Sequence, residues 1–240
     1  LKLESVIVVT IEEFANFIGE SDMARLQNRQ RKEFIFALTP FLLAYLLDKT
    51  ICEFAVYVDA DIYFDGDFMQ IVNRKNMTLG IFRHDFSPKM SYLEVYGKYN
   101  VGVVYFKKSS EALQALDWWR EKCLESTSIN IDANPNVFGD QKYLDLFPLK
   151  FSFEENGAMR SVCVGPWNTR AIEEWQKNEV SFFYHFSGLE VFNWFSLLGY
   201  RAYGWRPSKE TRRFYQHYIL QIKHWEKIIG ISSVVNYRKK

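Results

Sequence analysis

Residues 52 to 67, CEFAVYVDADIYFDGD, carry an apolar run into four aspartates within nine positions, Asp59, Asp61, Asp65 and Asp67. Burying a carboxylate without a partner is costly, so these charges must face solvent, a cation or a ligand. The run Phe54 to Val58 is short, continuous and apolar, and it reads as a buried strand. In α/β sheets, ligands gather beyond the carboxyl ends of strands. Asp59 and Asp61 follow that end directly, where a hard divalent cation would bridge a carboxylate to an anionic ligand. Asp65, Gly66 and Asp67 read instead as a turn. A calcium loop of the EF-hand kind is excluded, because Tyr63 stands where an oxygen ligand belongs and Phe64 where the glycine belongs.

Working outward, VIVVT (6–10) reads as a strand, and EEFANFI and DMARLQNRQRKEFIFALTPFLLAYLL as helical segments with a break near Pro40. MTLGIF (77–82) and VGVVYF (101–106) read as further strands, with shorter apolar segments at 162–164 and 180–186. Ser109 or Ser110 caps a helix through EALQALDWWREKCLE. Helices interleaved with fully apolar strands predict an α/β fold, a mostly parallel central sheet flanked by helices. Residues 1–197 are expected to form one domain, and 198–240 a helical extension packed against it.

The chain has 240 residues, 48% hydrophobic and 18% aromatic, which fits a folded domain and excludes disordered and fibrous classes. The three cysteines are scattered and lack Cys-x-x-Cys spacing, so neither a disulfide framework nor a thiolate zinc site is expected. No signal-peptide pattern opens the chain. The longest mostly apolar run, residues 34 to 47, has 14 residues and contains Pro40, too short to span a bilayer. The expected location is cytoplasmic. From residue 198 onward ten Lys or Arg stand against two Glu, a local +8 that leaves −7 on the first 197 residues. Basic and aromatic residues together suit an anionic membrane surface, met peripherally at its inner face, a phosphate-bearing acceptor or nucleic acid, and equally a solvated basic face on an ordinary terminal helix. A helix from Ser208 to Ile229 would align Phe214, Tyr218, Ile222, Trp225 and Ile229 as one stripe, read first as a docking face. The acidic remainder argues against nucleic acid as a partner.

Four segments together carry a resemblance: FALTPFLLAYLLDKTICEFAVYVDADIYFDGDF (36–68), YNVGVVYFK (99–107), GDQKYLDLFP (139–148) and FFYHFSG (182–188). In order and separation they resemble nucleotide-sugar-dependent glycosyltransferases of the GT-A fold with an Asp-x-Asp motif, in particular the bacterial retaining glycosyltransferase 8-like group. The resemblance implies that Asp59 and Asp61 hold a Mn²⁺ or Mg²⁺ bound to the donor diphosphate, and that His185 completes the metal site. It implies that Asn100 lies by the donor sugar with Gly102 keeping the backbone close, and that Asp140 and Gln141 serve the reacting sugar and acceptor. Gly188 falls in the late donor-binding motif, one position later than in that group, with Glu190 near the place of a cation. The implied donor is a nucleoside diphosphate sugar, UDP by preference. The implied acceptor is a glycan or lipid-linked saccharide, as in polysaccharide biosynthesis. The Asp-x-Asp motif also comes early, so the nucleotide-binding half is expected to be abbreviated or to lack N-terminal residues.

Each residue has a plainer reading. Asn100 serves equally well as a turn residue and His185 as a core histidine, and of Trp118, Trp119, Trp167, Trp175, Trp194 and Trp205 one could stack on a sugar or base while most serve as packing. His84 and Asp85 follow a strand and offer a weaker second cluster. Two other functions use Asp59 and Asp61: a non-catalytic nucleotide- or carbohydrate-binding protein, and a metal-dependent nucleotidyltransferase.

Overall fold

In the computed structural model, Phe54–Val58 forms strand β1, and its burial departs from the reading above. Phe54 and Val58 are 37% and 42% exposed. The four-stranded sheet has the order β1-β4-β3-β5, with β3 Leu79–Arg83, β4 Tyr99–Lys107 and β5 Ala158–Met159. β1 is therefore an edge strand, whereas β4 and β3 are buried along all but their last residue. The structure describes residues 8–73, 77–151, 158–159, 162–168, 182–191, 196–197 and 208–230.

The molecule is a mixed α/β protein, but the expected mostly parallel sheet is corrected by the direction of β4. At the end of that strand, Lys108 N donates to Glu53 O at 2.6 Å and Lys107 N to Thr78 O at 2.9 Å. β4 thus finishes where both β1 and β3 begin, and runs antiparallel to each. An apolar run reports burial on both faces and reads the same in either direction, so the pattern left strand polarity open.

Two compact units form. The first comprises Leu1–Tyr57, Met77–Ile81 and Val95–Ala158. Its helices are α1 Ile11–Ile18, α2 Glu20–Gln27, α3 Arg31–Lys49 and α5 Ser110–Glu125. Val8 to Thr10 form no strand, and Val6 and Ile7 lie outside the described residues. Thr10 instead caps α1 reciprocally with Glu13. The expected break near Pro40 is absent, since α3 runs through it and the chain interrupts its helices at 28–30. Proline removes one helical hydrogen bond. Here Ala37 and Thr39 before Pro40 and Phe41, Leu43, Ala44 and Leu47 after it are buried, and that burial holds the helix on both sides. Arg29, in the interruption, donates to Cys123 O, Leu124 O and Thr127 Oγ1, satisfying carbonyls that the end of α5 leaves open. Phe41, Val104, Phe106, Leu116, Trp119 and Phe147 form the centre of this unit's core.

The second unit comprises Val58–Asn76, Phe82–Glu94 and Met159–Lys240. It includes the short helix α4, Phe68–Asn73. Its sheet has the order β2-β7-β6, with β2 Ile62–Asp65, β6 Cys163–Val164 and β7 Phe182–His185. β2 is antiparallel and β6 parallel to β7. A two-stranded piece, Glu190–Val191 with Ser196–Leu197, follows. The expected C-terminal helix is present as Lys209–Ile229, called α7 here after α6, Phe147–Lys150. Ser208 caps it by accepting from Thr211 N, and Gly230 closes it at φ 69°. Val164, Tyr184, Phe186 and Tyr215 form a small aromatic core with Phe214 and Tyr218 against it. Among the described residues no helix is long and apolar enough to cross a membrane.

Candidate metal centre

Beyond β1 the chain turns through Asp59, Ala60 and Asp61 into β2, and Ile62 N donates to Asp59 O at 3.2 Å to close the turn. The antiparallel register sets Ile62 opposite His185 and Tyr63 opposite Tyr184. One step along, Phe186 N donates to Asp61 O at 2.9 Å. This pairing brings the imidazole to the carboxylates. His185 Nε2 lies 3.1 Å from Asp61 Oδ1 and 3.9 Å from Asp59 Oδ2. One ligand atom from each of the three residues falls within 4.8 Å of the others. His185 is the most buried of the three, while both carboxylates keep a partly exposed edge. Two oxygen donors and one imidazole in that arrangement could hold a divalent ion and leave positions open for a ligand's oxygens.

Electrostatics ties Asp61 to His185. Burial opposes the Asp61 charge, but the hydrogen bond and charge of His185 outweigh it and hold the carboxyl below its ordinary value. Tyr218 on α7 responds to the same carboxylate: burial first, then the Asp61 charge, pushes its hydroxyl up.

Trp167, itself held by a hydrogen bond, positions His185. The Trp167 ring meets its imidazole edge-on, with centroids 5.7 Å apart at 86°. Trp167 Nε1 donates to His84 O at 2.8 Å, and Asn168 Nδ2 donates to His84 O at 2.6 Å and Cys163 O at 3.0 Å. Gly165 N returns a bond to Asn168 Oδ1 at 3.0 Å. Sequence reasoning took Trp167 as packing and passed over Asn168. The Gly165, Pro166 pair was the available signal, because Gly-Pro marks a tight turn. His84 stacks on Phe86 at 4.6 Å and meets Trp167 edge-on, so its ring belongs to this aromatic pack.

Gly188 also belongs to the second unit. Leu189 N donates to Phe186 O at 2.9 Å across a turn in which Gly188 takes φ 74°. That angle at the third turn position favours glycine. Asn100, Gly102, Asp140 and Gln141 belong to the first unit. Asn100 is buried and its Oδ1 accepts from Gly102 N at 2.7 Å. Asp140 is buried too, its carbonyl accepting from Trp119 Nε1 at 2.9 Å. Gln141 Nε2 donates to Tyr96 O at 3.2 Å. Of the tryptophans, Trp119 is fully buried and Trp118 packs on Tyr143, Phe147 and Phe151. Trp175, Trp194 and Trp205 lie outside the described residues.

The chain is similar to two proteins of Bacillus subtilis (strain 168). It is 28% identical over 210 residues to the uncharacterized protein YfnD, covering 82% of this chain and 67% of that protein. It is 27% identical over 208 residues to the uncharacterized protein YfnF, covering 80% of this chain and 67% of that protein. No family model matches.

Proposed function

We propose that this chain is a metal-dependent glycosyltransferase of the GT-A class, moving a sugar from a nucleoside diphosphate sugar, UDP by preference, to a saccharide acceptor. The supporting observation is the convergence of His185 on Asp59 and Asp61, which lie far from it in sequence, with the three ligand atoms within 4.8 Å of one another. Carboxylates at a strand end with one imidazole suit Mn²⁺ or Mg²⁺ sharing its remaining positions with a diphosphate. A bound ion would neutralise the charge that develops on the departing diphosphate. Asn100 and Gly102 are assigned to the donor sugar, Gly188 to the donor phosphates, and Asp140 and Gln141 to the acceptor side. Retention of anomeric configuration goes with this reading. A nucleotide- or carbohydrate-binding protein without transfer activity is the second reading. It is favoured by the ties of Asn100 and Gln141 to backbone groups, which give both side chains a structural use.

The test is calorimetric titration with UDP, with Mn²⁺ or with chelator. UDP is expected to bind about tenfold or more tightly with Mn²⁺, and Asp59→Asn, Asp61→Asn or His185→Asn to abolish the difference. Equal affinity with and without the ion would overturn the proposal. Mn²⁺-dependent binding combined with no turnover of any UDP-sugar would support the second reading instead.

A further inference from the structure

The apolar stripe of α7 leaves the core before the helix ends. Its first half is covered: Tyr215 is buried, its hydroxyl lies 3.0 Å from that of Tyr184, and Phe186 stacks on Tyr218 at 3.8 Å and 3°. Its second half forms one side of a groove of about 640 Å³, with Tyr218, Ile222, Trp225 and Ile229 on α7 and Tyr63 on β2. Trp225 and Ile229 remain 41% and 58% exposed. That volume lies within the range of small-molecule sites.

The groove and the candidate metal centre draw on the same two chain segments, by lining or by contact. Tyr63 stands two residues after Asp61, and its ring meets Tyr218 edge-on at 6.0 Å. Tyr218 stacks on Phe186, the residue that follows His185 and bonds the Asp61 carbonyl. Both segments that supply metal ligands thus also supply or touch the groove.

The polar residues discriminate between occupants. At about 100° per residue, Lys209, Arg213, Lys223 and Lys227 occupy the side of α7 opposite Tyr218, Ile222, Trp225 and Ile229. The residues bordering the stripe are His217, Gln221 and Glu226, all of which line the groove. Among the described residues, no lysine or arginine borders the exposed half of the stripe, from Tyr218 onward, that an anionic bilayer would meet. An amphiphile fits better, with its apolar part against the aromatic rings and hydroxyl groups toward Gln221 and Glu226.

We infer that the groove between β2 and α7 receives the apolar aglycone, alkyl or aryl, of the acceptor and holds the acceptor sugar toward the metal centre. The inference rests on the transferase reading and narrows its acceptor to an amphipathic glycoside.

The experiment titrates the whole chain with methyl, octyl and p-nitrophenyl β-glucopyranosides, the octyl compound below its micelle concentration. The octyl and aryl glycosides are expected to bind about tenfold or more tightly than the methyl glycoside. Trp225→Ala and Ile229→Gln, both at exposed positions that leave the core intact, are expected to abolish the preference. Equal affinity for all three glycosides would overturn the proposal, as would a preference that survives both substitutions. Sedimentation with anionic vesicles that Trp225→Ala abolishes, without glycoside preference, would assign the stripe to a membrane and overturn it. A dimer that Trp225→Ala dissociates would do the same in favour of a second copy. Glycoside preference together with Mn²⁺-independent UDP binding would overturn the acceptor role and, separately, the donor reading.

Discussion

Cys123 and Tyr143 show how burial of single residues sets the pH range of the first unit. Burial first, and then the Asp140 charge, pushes the Cys123 thiol well above its ordinary value. Burial likewise pushes up the Tyr143 hydroxyl, which donates to Ser126 O at 2.8 Å. Both folded-state values are raised, so the unfolded chain loses these protons first. The stabilisation is complete below the unfolded thiol value of about 8.5 and is lost as pH rises above it. Each such group should cost about 1.4 kcal/mol per pH unit above its unfolded value. Thermal melting between pH 8 and 10.5 should therefore show a falling midpoint, with a shallower fall in Cys123→Ala. A midpoint that stays level across that range would refute the account. Residue identity alone made Asp59 and Asp61 legible, because four carboxylates cannot continue a buried strand. It left His185 open between ligand and core histidine, since both uses place an imidazole among aromatic residues.

At the level of elements, the turn after β6 is the most constrained piece of the candidate site. A Cβ at Gly165 would come 2.4 Å from Cη2 of Trp167, closer than any packing permits. Gly165→Ala must displace the indole that donates to His84 O and meets the His185 ring. The expected cost is about 1–3 kcal/mol of stability, the range for overpacking, with weakened Mn²⁺ affinity as His185 loses its wall. Denaturant unfolding and metal titration of the same variant would check both, and unchanged values in both would remove Trp167 from the positioning role. Helices were legible where caps and periodicity agreed, as with Ser109 before α5 and Ser208 before α7. Pro40 misled because a local rule about hydrogen bonding met a helix held by its buried flanks.

For the whole molecule, the candidate metal triad Asp59, Asp61 and His185 belongs to the second unit, while Asn100, Gly102, Asp140 and Gln141 belong to the first. Mn²⁺ alone, without nucleotide, should thus protect one unit selectively. At 100 times its dissociation constant an ion stabilises the state that binds it by about 2.7 kcal/mol, on the order of a hundredfold in opening equilibrium. Hydrogen exchange is expected to slow in β2 and β7 and to stay unchanged in α3 and α5. Equal protection of all four elements, or of none, would contradict an ion held by Asp59, Asp61 and His185.

Sequence alone determined the helices α5 and α7, the helical character but not the bounds of α3, the apolar runs of β1 and β4, and two carboxylates at a strand end. Periodicity, capping and the cost of burying charge are local, and these features needed nothing more. Tertiary structure decided the antiparallel course of β4 and the edge position of β1, because apolar runs carry no direction and no place in a sheet. It decided the β2–β7 register as well, which sets Ile62 opposite His185 and so brings the imidazole to Asp61. A slip of one residue would turn every side chain of β7 to the other face. It also decided how far the aromatic core covers α7, leaving Trp225 and Ile229 exposed while Tyr215 is buried. The stripe itself is written in the spacing of the chain, but what covers it is supplied by residues distant in sequence.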